Sequence, residues 1–199
     1  MRELVGEGWL EERTTFGARE RGRSSGALYI QPDRFTALGI QFGASGVHLV
    51  ATSLGGKILA QHSGTCVEDF APRKCIDLAT YLMVDVHARL QTTRCLPIGI
   101  GVAVAGVVDE ERGHLNTASR PGWSDIPVAQ LFTDRLRGTA LHRVPLHLLG
   151  EDRLAAIEQL EVESPPPTGV GPFGTALAVA AVARGRFLLE DAETSYLDA

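Results

Sequence analysis

The hydrophobic period of this chain changes along its length in an order that few folds accommodate. Over residues 36–41, 47–53 and 57–63, short apolar runs are bounded by the turn Phe42-Gly43-Ala44-Ser45-Gly46 and by Gly55-Gly56. That pattern predicts three strands joined by hairpins. Across 71–90 the period lengthens, and Cys75/Ile76, Ala79, Leu82/Met83, Val86 and Leu90 recur at helical spacing with one buried stripe. A near-continuous apolar strand at 98–104 reads as fully buried. A helix at 126–136, a strand at 144–148 and a helix at 151–160 follow. Hairpin-linked strands run antiparallel, whereas strands separated by helices are joined by crossovers and run parallel. The expected fold class is therefore α/β, with an antiparallel meander extended by parallel strands into one mixed sheet.

This order is the layout of a ribonuclease H-like, or actin-like ATPase, lobe. Before it, residues 2–12 read as the last turn of a helix stopped at Gly6 or Gly8, with a short strand at 9–13. A turn-rich stretch at 14–26 and a second short strand at 27–30 complete the outline of a winged-helix wing. Its tip holds Arg13, Arg19, Arg21 and Arg23 against the single acid Glu20, a local excess that can meet phosphates. A solvated surface loop accounts for the same charges. After the lobe, Ser164-Pro165-Pro166-Pro167-Thr168-Gly169 suits neither a helix nor a central strand and reads as a linker. A last helix is expected over 173–189, and its middle, 176–183, is apolar on every face, so more than one side should be covered. The expected organisation is a wing remnant at 1–32, the lobe at 33–163, a linker at 164–172 and a packed terminal helix at 173–199.

Composition narrows the function. With 199 residues, 44% of them apolar, the chain can bury a sizeable core, and its formal charge of −5 argues against whole-surface attraction to nucleic acid. The three cysteines lack CxxC spacing, which points to reduced thiols and a cytoplasmic setting. No signal peptide is expected, and the apolar runs at 96–108 and 174–183 fall short of the ~20 residues of a membrane span. The six histidines show neither HExxH nor CxxC companions, so no zinc site is expected. Gly56-Lys57 lacks the rest of a P-loop, and the run from Gly99 to Gly106 places Val104 where a dinucleotide fingerprint needs its third glycine.

Three segments carry chemical interest. Gly39-Ile40-Gln41-Phe42-Gly43-Ala44-Ser45-Gly46 is a strand entering a glycine-rich turn, able to offer N–H groups and a hydroxyl to a phosphate or simply to close a hairpin. Gly101-Val102-Ala103-Val104-Ala105-Gly106-Val107-Val108-Asp109, with Gly113 after it, ends a buried strand in a glycine turn and an acid. Pro145-Leu146-His147-Leu148-Leu149-Gly150-Glu151-Asp152 delivers two carboxylates to a helix start, where they favour the helix dipole and where α/β sheets also bind ligands.

Together these segments resemble the repressor–ORF–kinase (ROK) family of sugar kinases and sugar-responsive repressors. The likeness is most specific at 101–113, which looks like the family's GVAVPGxVDxxxG stretch, and at Pro121-Gly122-Trp123-Ser124-Asp125-Ile126-Pro127, which looks like its GWxDxP stretch. The wing-like start resembles the repressor branch, since family kinases generally lack it. The resemblance implies a phosphate loop at Gln41, Gly43, Ala44 and Ser45, and a second glycine turn at Gly106 and Asp109. It implies sugar-side positions at Ser119, Gly122, Trp123, Gly150 and Glu151, a base position at Glu151 or Asp152, and DNA contacts from Arg19, Arg21 and Arg23.

Departures from the family pattern shape the expected function. Gln41 stands where family kinases carry an Asp, and a neutral amide is a poor ligand for Mg²⁺. Ala105 replaces the proline of the PG turn, and Leu149-Gly150-Glu151 replaces the family's Glu-Asn-Asp run. No Glu-His-Gly run and no Cys/His cluster occur, so the likeness covers a first lobe and a final helix. The expectation is a sugar-responsive transcriptional regulator in truncated or degenerate form, without kinase activity, with a weak sugar ligand and weak non-specific DNA contact. The alternatives are a sugar kinase using Mg-ATP, or a binding-only lobe that pairs with another chain or a second copy of itself.

Overall fold

The computed structural model describes residues 5–6, 9–13, 27–43, 46–66, 70–91, 95–118, 122–160 and 173–197, with side chains in the helices as far as 155 and 187. A hairpin of β1 (Leu10–Arg13) and β2 (Ala27–Ile30) leads through a 3₁₀ turn to the meander β3 (Phe35–Gly43), β4 (Gly46–Ser53) and β5 (Ile58–Thr65). Helix α1 (Pro72–Leu90) crosses to β6 (Leu96–Val104). Three short strands, β7 (Val107–Asp109), β8 (His114–Thr117) and β9 (Ser124–Ile126), precede α2 (Val128–Leu136). Then come β10 (Leu146–Gly150), α3 (Glu151–Leu160) and α4 (Gly174–Leu197).

Five strands form one sheet in the order β10-β6-β3-β4-β5. Strands β3, β4 and β5 pair antiparallel, while β6 lies parallel to both β3 and β10. This is the mixed sheet that the hydrophobic periods require. Strand β10 lies two residues later than its apolar run suggested, because Leu146 pairs with Ile100 and the preceding Pro145 offers only its carbonyl, bonded by the Ile100 N–H. Strands β7, β8 and β9, which form a separate small sheet, were not expected. At three or four residues each they are too short to show alternation.

Alternation along the large sheet makes two unlike faces. Leu38, Ile40, Phe42, Val47, Leu49, Ile100 and Val102 form the main core beneath α1 and α2. The other face is floored by glycine. A Cβ on Gly39 or Gly101 would fall well under 3.0 Å from the carbonyl oxygens of Ala176 and Val179, and one on Gly99 would lie 3.0 Å from that of Ala183. Helix α4 therefore rests its backbone almost directly on β3 and β6, and residues Ala176, Leu177, Ala178, Val179, Ala180 and Ala183 are all buried. The glycines of Gly99-Ile100-Gly101 thus serve helix docking.

The hairpin is seated at the amino edge of the sheet. Leu10 pairs with Ile30 and Arg13 with Ala27, the Gln31 N–H donates to the Trp9 carbonyl at 2.9 Å, and the Gln31 amide reaches the Glu11 carboxylate. The Trp9 ring stands edge-on to Phe35 at 5.8 Å, and Phe187 of α4 lies 6.4 Å from Phe35. The arginine-bearing tip and the proline-rich stretch lie outside the described residues. Among the described residues, no helix is long and apolar enough to cross a membrane.

The cysteines differ in access. Cys75 is buried on α1, and burial together with neighbouring Cys66 pushes its thiol up to about 12. Cys95 is also buried, and its Sγ donates to the Asp33 carbonyl at 3.2 Å. Thiolate, not thiol, is the nucleophile. Iodoacetamide at pH 8 should label half-buried Cys66 first, with Cys75 and Cys95 labelled only after unfolding; peptide mass spectrometry reads the order, and early labelling of Cys75 would contradict the packing.

Candidate functional site

The carboxyl ends of the parallel strands β3, β6 and β10 lie side by side at Gly43, Val104 and Gly150. Gln41 pairs in register with Ala103, which pairs with Leu149, and β10 passes without a loop into α3 at Glu151. The fold so brings together two residues 110 positions apart: the Gln41 Nε2 donates to Glu151 Oε1 at 2.8 Å, both side chains being half-buried. Glu151 and Asp152 occupy the first turn of α3, where the helix dipole favours negative charge. Asp152 is exposed, so the helix start turns Glu151 alone toward β3.

A residue that the sequence analysis did not single out completes this edge. His48 is the cross-strand partner of Gln41, its ring stands edge-on to Phe173 at 5.3 Å, and a Cβ on Gly43 would lie 3.4 Å from it. Burial lowers its pKa, and its Nδ1 is buried without a hydrogen-bond partner among the described residues. The signal was in the hairpin register, since closing the turn with Gly43 opposite Gly46 puts 41 opposite 48.

The second glycine turn is shaped by backbone packing. A Cβ on Gly106 would collide with the Thr117 carbonyl, and one on Gly150 would lie 2.9 Å from the Gly106 carbonyl. Asp109 accepts the Arg112 N–H at 3.1 Å and closes the β7–β8 turn. Its neighbour Glu110, only 16% exposed, pairs with Arg153 of α3 at 2.9 Å and Arg186 of α4 at 3.5 Å, tying the turn to both helices. The Trp123 ring lies in the core, 4% exposed, edge-on to Phe42 at 5.1 Å, and its N–H donates to the Phe70 carbonyl at 2.6 Å. Gly122 adopts a positive φ of 80°, with open space where a Cβ would stand. Ala44, Ser45, Ser119, Arg19, Arg21 and Arg23 lie outside the described residues.

No family model matches the sequence. Over 136 residues the chain is 30% identical to a transcriptional regulator of Mycobacterium tuberculosis, covering 67% of this chain and 30% of that protein. Over 133 residues it is 22% identical to the xylose repressor of Caldicellulosiruptor bescii, covering 67% of this chain and 33% of the repressor. It superposes with a TM-score of 0.60 on a ROK family transcriptional regulator, a homologue of the E. coli MLC protein, at 17% identity over 80% of this chain and 39% of that one. The lobe thus shares the fold of a ROK family transcriptional regulator. It spans about a third of the length of the curated relatives it matches.

The edge built by Gln41 and Glu151 is closed on itself. Mg²⁺ takes anionic or carbonyl oxygens in octahedral array. Gln41 turns an N–H toward Glu151, so the pair lacks the facing acidic oxygens such an ion would take. Among the described residues, no group of three or more His, Cys, Asp or Glu side chains is placed to hold a metal.

Proposed function

We propose that the chain is the ROK lobe of a sugar-responsive transcriptional repressor and has no sugar-kinase activity. The observation that carries this reading is the Gln41–Glu151 hydrogen bond. Phosphoryl transfer needs a metal-holding acid and a base free to take the substrate proton, and here an amide occupies the first position and engages the second. The seated β1–β2 hairpin and the repressor and regulator names of the relatives support the same side of the family. A sugar would be held weakly at the carboxyl edge beside Gly150 and Glu151. Arg19, Arg21 and Arg23 would meet DNA phosphates in the cytoplasm, an interaction that positions a protein without reading bases.

A coupled ADP-release assay with Mg-ATP and either glucose or N-acetylglucosamine should show no turnover above the enzyme-free rate. Robust Mg²⁺-dependent turnover would overturn the reading. In a mobility-shift titration, DNA binding by this chain should be weak, indifferent to sequence and steeply reduced by salt.

A further inference from the structure

A cavity of the lobe lies at the opposite, amino edge of the sheet, where β6 and β10 begin. It measures about 460 Å³, within the range of small-molecule sites, and is walled by the end of α1, the start of β6, the segment before β10 and Phe187 of α4. Leu96, Pro97, Ile98, Val144 and Phe187 make its walls apolar. Its polar groups are His87, Gln91, Arg143 and His147. His87 is 7% exposed and engages the Gln91 amide at 2.9 Å, while the His147 Nδ1 meets Arg186 at 3.2 Å, so both rings are held in place. The lining is biased in charge: the chain carries 24 acids against 19 bases, yet no Asp or Glu lines this cavity among the described residues. Arg143 stands at the exposed rim.

We propose that this cavity binds a small organic carboxylate with an apolar body, and that its occupancy is felt by the β1–β2 hairpin. Apolar walls with a cationic rim suit a molecule whose body leaves water while its anion meets Arg143. The second half follows from shared walls. Ile98 and Phe187 line the cavity and also belong to the cluster of Phe35, Ala37 and Trp9 that seats the hairpin. A ligand that shifts Phe187 or Ile98 therefore presses on the anchor of the hairpin from behind. Neither the cavity nor the Trp9 contact depends on whether the hairpin meets DNA or the lobe phosphorylates sugar.

The probe is 3-phenylpropionate, compared by calorimetry with its neutral amide and with acetate, which keeps the charge but lacks the body. Saturable binding of 3-phenylpropionate, about tenfold tighter than either comparison compound, is expected. Arg143→Gln should weaken the acid about tenfold and leave the amide unchanged. Ala140→Trp, a change at an exposed rim residue, should block the cavity while the melting temperature stays put. Tryptophan emission should change on binding, and Trp9→Phe should remove that change while the heat of binding remains. Absence of saturable heat, or binding untouched by Ala140→Trp, overturns the site; equal affinity for acid and amide overturns its charge preference; unaltered emission at saturation overturns the link to the hairpin.

Discussion

Replacing Gly39 with alanine should unseat helix α4 and lower the unfolding free energy by about 3 kcal/mol, the upper end of overpacking costs. The new methyl group would fall on the Ala176 carbonyl, with the Ala180 N only 2.8 Å away. Those are backbone atoms of a helix, unable to rotate aside as a side-chain tip would, so the whole helix must lift. Lifting it would also loosen the contacts of Val179 with Ala103 and Leu149. The control lies on the same helix. Gly185 has no heavy atom within 4 Å of its missing Cβ, so Gly185→Ala should stabilise by roughly 0.5–1 kcal/mol through helix propensity. Urea denaturation with unchanged slope separates the two signs. A Gly39→Ala midpoint equal to that of the parent chain would show that α4 slides freely over the sheet.

Gln41→Asp should convert a satisfied contact into a repulsive one. The amide donates to Glu151 across 2.8 Å, and an acid at 41 would lose a hydrogen bond to a charged group, about 1.5–3 kcal/mol, and add a like charge. One carboxyl of the new pair would hold its proton to higher pH than in the unfolded chain. The variant would thus keep its stability below the ordinary carboxylate range near ~4 and lose it as pH rises through and above that range. Millimolar Mg²⁺ at pH 7 should recover part of the loss, because two facing acids offer the oxygens a hard cation takes. The parent chain should melt at the same temperature with and without Mg²⁺. A Mg²⁺-dependent rise in the parent as large as in the variant would mean that Gln41 does not exclude the cation, and the repressor reading would lose its main support.

Much of this architecture was legible in the sequence because burial writes itself as period. The runs that became β3, β4 and β6 are apolar on both faces of a covered sheet, and α1 shows its stripe from Cys75 to Leu90. The all-round apolar middle of α4 was legible for the same reason, and the glycine floor beneath it explains why no larger residues stand opposite. The small β7-β8-β9 sheet was not legible, since its strands alternate over too few residues. Side-chain partners far apart in sequence also left no local trace. The indole of Trp123 finds the Phe70 carbonyl, and Glu110 finds Arg153 and Arg186, only once crossovers have set their distances. Gln41 and Glu151 were picked out one by one through the family resemblance, but their mutual bond belongs to the parallel register of β3, β6 and β10. His48 could have been found by counting back from the hairpin closure at Gly43 and Gly46.

The way α4 rests on glycine also bears on how the protein is made. Gly39 meets residues 137 and 141 positions later, at Ala176 and Ala180, so a ribosome releases the meander long before its cover exists. Until then the nascent sheet offers bare backbone on one side, a surface on which another unfinished chain, or a chaperone, can sit. Such long-range closure delays the last folding step of the lobe until α4 has been synthesised.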